Sequence, residues 1–95
     1  MFEVGQVVGI FTKKHKGDRA VVVDIIRPGE TRDLLTLQTY YDREEGLRLW
    51  KNQFIGRIPR IVCKFEGTEE YIVVPWNRRN QCVIAEPLPE RSNAK

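Results

Sequence analysis

The run Leu34-Leu35-Thr36-Leu37-Gln38-Thr39-Tyr40-Tyr41 leads into Asp42-Arg43-Glu44-Glu45-Gly46-Leu47-Arg48-Leu49-Trp50, and the reading of these residues decides the fold. In the first run Leu35, Leu37 and Thr39 fall on one face and Thr36, Gln38 and Tyr40 on the other, the period of two expected of a half-buried strand. The second run admits two readings. As a helix it starts at Asp42, with Glu45 at the capping-box spacing, and aligns Leu47, Trp50 and Phe54. Gly46 then sits in the first turns, where it costs about 1 kcal/mol relative to Ala. As a hairpin, residues 42–46 make a five-residue turn ending in glycine, and Leu47 and Leu49 alternate with Arg48 and Trp50 in the returning strand. The hairpin is the preferred reading, with a short helical turn at residues 51–54.

Working outward, the signal on both sides is β. Val7-Val8-Gly9-Ile10-Phe11 and the stretch 20–26 are rich in branched side chains that suit a pleated surface. Arg27-Pro28-Gly29-Glu30 is a turn, because Pro presets one backbone angle and Gly tolerates a positive one. Residues 60–66 and 71–76 read as strands joined through Gly67-Thr68-Glu69-Glu70. Asn77-Arg78-Arg79-Asn80 is the next turn, and residues 81–86 are the last strand. Pro87 and Pro89 end the pattern. The expectation is an all-β chain: a small antiparallel β-barrel over residues 1–88, with at most one short helical turn, and a flexible tail at 89–95.

Composition bounds the function. Ninety-five residues, 41% hydrophobic and 31% charged, describe one ordinary globular domain. No apolar run exceeds four residues, far below the roughly 20 that cross a membrane. The first residues lack the basic-then-apolar pattern of a secretory signal, so a cytoplasmic protein is expected. The net charge of +3 is mildly basic and spread along the chain, so any functional patch must be assembled by folding. Cys63 and Cys82 each lie among apolar neighbours and read as reduced, buried side chains. Two Cys and one His without close spacing argue against zinc, and no cofactor is expected.

The opening segment resembles a known family. Gly5-Gln6-Val7-Val8-Gly9-Ile10, then Gly17-Asp18-Arg19-Ala20-Val21-Val22-Val23-Asp24-Ile25, is similar to the KOW motif, a strand–loop–strand unit of Src-homology-3-like (SH3-like) barrels. The second half of the motif is met by Gly17, Ala20, Val22 and Ile25, whereas Lys13 stands where the family carries a loop glycine. The resemblance covers residues 5–25. It implies an SH3-like barrel and an RNA-binding or protein-docking role within a larger assembly.

The residues themselves point the same way. His15, the only histidine, has no nearby Ser or Cys, and Ser92, the only serine, lies in the tail, so a Ser–His–Asp arrangement is excluded and no enzyme is expected. A basic and aromatic face is the better candidate. Its elements are Lys13, Lys14, Lys16 and Arg19 of the first loop, Trp50 with the nearby Lys51, Arg57 and Arg60, and Trp76 with Arg78 and Arg79. Lysines would neutralise phosphate, arginines would fork onto phosphate or base edges, and Trp76 would stack on a base. The expected function is a non-enzymatic docking module contacting RNA or a nucleoprotein complex. The alternative is a protein-only adaptor using the same Trp and Arg surface.

Overall fold

Branched residues build the strands where the sequence places them. The structure, a computed structural model, describes residues 2–53 and 56–76 and the backbone of 83–85. In it β1 spans Val7–Phe11, β2 Lys16–Ile26, β3 Arg60–Phe65, β4 Tyr71–Pro75 and β5 Val83–Ala85. All pairings are antiparallel and the sheet runs in the order β4-β3-β2-β1-β5. The turn at 27–30 forms as read, closed by the Glu30 N–H donating to the Arg27 carbonyl at 3.0 Å. The turn expected at 77–80 and the tail at 89–95 lie outside the described residues.

The all-β barrel is overturned. Between β2 and β3 the chain forms two helices, α1 (Leu34–Tyr40) and α2 (Arg43–Asn52), and the sheet stays open with β4 and β5 at its edges. The class is mixed α and β. Neither the strand expected at 34–41 nor the hairpin preferred at 42–50 exists; the helical reading that starts at Asp42 is the one that forms.

The causes are local. Asp33 caps α1, its carboxylate accepting the Thr36 N–H at 2.8 Å, and Asp42 caps α2 by accepting the Glu45 N–H at 2.9 Å. Glu44 and Glu45 in the first turn of α2 and Lys51 in its last turn complement the helix dipole. Gln53 closes α2 in a left-handed conformation (φ 51°) and donates its N–H to the Leu49 carbonyl.

Gly46, which weighs against a helix by propensity, is explained by packing. It is buried where α2 crosses α1, and a methyl group there would stand 3.0 Å from the backbone of Leu37 and Gln38. The helices touch backbone to backbone at this point, which only glycine permits.

The sheet carries a core on each face. On one face Val8, Ile10, Ala20, Val22, Ile61 and Cys63 are fully buried, joined by Phe65 and Val74. On the other, Ile26 and Val62 pack against Leu37 of α1 and Leu49 of α2, with Val23, Tyr40, Tyr41, Tyr71 and Val73 around them. A bulge between Val22 and Asp24 lets one strand serve both: Val22 opposes Cys63, Asp24 opposes Val62, and Val23 is the extra residue. Burying each large aliphatic side chain contributes about 1.5–3 kcal/mol. Cys63 is a free thiol in the first core, and burial pushes its pKa up to about 12.

Candidate nucleic-acid interface

The β1–β2 hairpin is built to hold a short basic loop outward. The Thr12 N–H donates to the His15 carbonyl at 2.9 Å, and the Thr12 hydroxyl accepts from the N–H groups of Lys14 and His15 at 3.2 Å. The register then slips, since Ile10 opposes Asp18 while Phe11 opposes Lys16. Gly17 fills the bulge at φ +94°, a conformation other residues rarely adopt. Lys13, Lys14 and Lys16 are all exposed, and among the described residues none of them meets a carboxylate.

Next to the lysines lies an aromatic ring. Phe11 ends β1 on the opposite face from Val8 and Ile10. The positions a Cβ would take at Gly9 and Gly17 are 3.1 and 3.2 Å from its outer ring carbons. The ring therefore rests on glycine backbone, and the residue remains 44% exposed. Helix α1 contacts β4, and Leu37 of α1 and Leu49 of α2 pack over Ile26 and Val62 on this face, so among the described residues no helix covers the β1–β2 end.

Around the corner of β2, His15 stacks on Phe65 (ring centroids 4.5 Å apart) and its Nδ1 lies 2.8 Å from Asp18 Oδ2. With Arg19, Glu66, Thr68 and Glu70 these residues line an open cleft of about 380 Å³. Its charges lean acidic: Asp18, Glu66 and Glu70 line it with Arg19, which sits 3.7 Å from Glu66.

A second polar cluster has a structural role. Arg32 grips Asp24 through two contacts of 3.0 Å, from Nε to Oδ2 and from Nη2 to Oδ1, and donates to the carbonyls of Ile25 and Thr31. Burial works to raise the Asp24 pKa, but the hydrogen bond and charge of Arg32, together with hydrogen bonds from Tyr40 and the Ile25 N–H, outweigh it and hold the carboxyl below its usual range. Burial, together with the Asp24 charge beside it, pushes the Tyr40 phenol up to about 12. The cluster fastens the 27–33 connection to β2 and so fixes where α1 begins.

The residues singled out in the sequence are thus only partly brought together. Lys13, Lys14, Lys16 and Arg19 share one end of the sheet. Trp50 stands on α2, 40% exposed, in the helical layer. Trp76 packs partly buried against the first core, its backbone N–H donating to the Pro59 carbonyl at 2.9 Å. Lys51 and Arg57 are exposed, whereas Arg60 is half-buried, its Nη1 without a hydrogen-bond partner. Arg78 and Arg79 lie outside the described residues. Phe11 was missed, because its place beside the lysines depends on the hairpin register rather than on sequence neighbours.

Among the described residues no group of three or more His, Cys, Asp or Glu side chains could hold a metal ion. No helix among them is long and apolar enough to cross a membrane. Comparison with family models, curated proteins and solved structures finds no match.

Proposed function

We propose that this chain is a non-enzymatic docking module that contacts RNA, free or within a nucleoprotein, through the β1–β2 loop. The observation that carries the reading is the set of three exposed lysines, Lys13, Lys14 and Lys16, held on one hairpin without carboxylate partners among the described residues. Arg19 stands at the same end beside Glu66. Phosphate is the counter-charge that such a loop accommodates, because each lysine that engages a phosphate releases a condensed counterion. The test is a titration of labelled single-stranded RNA at two salt concentrations. Three phosphate contacts on a single strand give a slope near −2, so affinity should fall about 20-fold between 50 and 200 mM salt. The variant Lys13→Ala, Lys14→Ala, Lys16→Ala should lose both the binding and the slope. Salt-independent binding, or none at 50 mM, would count against the reading.

A second reading, a protein-only adaptor, is favoured by the helical layer, where Leu35 is 77% and Trp50 40% exposed. Its mark is a partner retained at high salt and lost on Trp50→Ala, since buried Trp anchors dominate protein interfaces.

A further inference from the structure

Phe11 has the geometry of a platform. One side of its ring rests on the backbone at Gly9 and Gly17, so the ring cannot sink into the sheet, and the residue keeps 44% of its surface in solvent. The cations beside it are Lys13, Lys14 and Lys16. Of the acidic groups at this end, Glu66 faces Arg19 at 3.7 Å and Glu69 faces Lys64 at 3.5 Å, Asp18 meets the His15 ring at 2.8 Å, and Glu70 lines the cleft on the His15 and Phe65 side. The result is a part-exposed aromatic ring bordered by three lysines that meet no carboxylate among the described residues.

We propose that Phe11 stacks one unpaired nucleobase of a single-stranded nucleic acid whose flanking phosphates are held by Lys13, Lys14 and Lys16. The inference rests on the RNA-binding reading above and narrows it to strands with accessible base faces. A base has the flat, polarisable face that fits a phenyl ring, and the phosphates on either side of it supply the complementary charge. In a duplex both faces of each base are covered by neighbours, so the platform selects for single strands. A protein partner would need a flat apolar group flanked by acidic groups at similar spacing; a nucleotide strand supplies that pattern at every residue.

The experiment uses the full chain and two labelled probes of equal length and charge: a single strand of ~6 nucleotides, within the usual span of such sites, and a base-free strand of tetrahydrofuran phosphates. The wild type should bind the base-bearing strand about tenfold more tightly than the base-free one, in keeping with one stacked base. Phe11→Leu should erase that difference while keeping the salt slope, and Phe11→Trp should retain the difference, which separates lost stacking from lost folding. Equal binding of the two strands by the wild type would overturn the stacking assignment and leave the RNA reading standing. So would an undiminished preference in Phe11→Leu. Failure of the wild type to bind either strand at about 50 mM salt would overturn both.

Discussion

Replacing Gly46 by Ala puts two physical effects in opposition, and the structure says which wins. In an isolated helix the substitution would stabilise by about 1 kcal/mol, because Gly is the poorer helix former. Here the added methyl would lie 3.0 Å from Leu37 C, Leu37 O and Gln38 N, backbone atoms that cannot rotate aside. Favourable carbon contacts begin at about 3.5 Å, so α1 would have to retreat by about 0.5 Å. That retreat loosens the contacts of Leu37 and Leu49 in the second core. Overpacking of this kind costs about 1–3 kcal/mol. Set against the propensity gain, the net should be a loss of up to about 2 kcal/mol, or at most roughly 15 °C in Tm for a domain of this size. Urea and thermal melts followed by circular dichroism would measure it, with the exposed substitution Arg43→Ala as a control expected to stay within about 0.5 kcal/mol. A Gly46→Ala variant that gains about 1 kcal/mol would show propensity ruling alone and would refute a backbone-tight crossing.

Other perturbations follow from the same structure. Asp42→Ala removes the acceptor for the Glu45 N–H and should cost about 1 kcal/mol, read in the same melts, with Asp42→Asn nearly silent. Arg32→Met leaves the half-buried Asp24 carboxylate without its grip and should cost about 1.5–3 kcal/mol near neutral pH. Because Asp24 is held below its unfolded pKa, its contribution is present above that value and lost as pH falls through the folded one. The wild type should therefore lose more stability than Arg32→Met on acidification below about pH 4, and parallel acid limbs would contradict this. In a Cys82→Ser background, Cys63 should resist a thiol reagent at pH 8 in the folded protein and react at once in denaturant, since burial holds its pKa near 12. Rapid labelling of the native state would contradict the burial.

The strands were legible because Val and Ile cluster in them and because Gly29 and Gly67 mark turns whose backbone angles they alone accept comfortably. The helices were not legible, for two separate reasons. Over the eight residues 34–41, Leu35, Leu37 and Thr39 satisfy a period of two while Leu34, Leu37 and Tyr41 satisfy a period near 3.6; only Leu37 is fully buried, and Leu35 is 77% exposed. The cap at Asp33 was the signal that separates the two. At Gly46 the propensity penalty was real, but it is offset by a helix crossing that no local rule sees. The basic loop could be read directly, since lysines in a turn stay solvated. Phe11 could not: its exposure depends on Gly9 and Gly17 meeting beneath it across the hairpin, which requires the register.

The bulge at Val23 makes β2 a shared wall. Val22 belongs to the packing on one side of the sheet and Val23 and Ile26 to that on the other, so neither side can melt while the other keeps the strand straight. The helical layer and the opposite core should then open as one unit, and the slowest amide protons to exchange with solvent should lie along Ala20–Ile26 and its partner Ile61–Phe65. For the basic loop at the near end of that strand, this means a firm mount: Lys16 is the first residue of β2, four residues before the stretch expected to exchange most slowly.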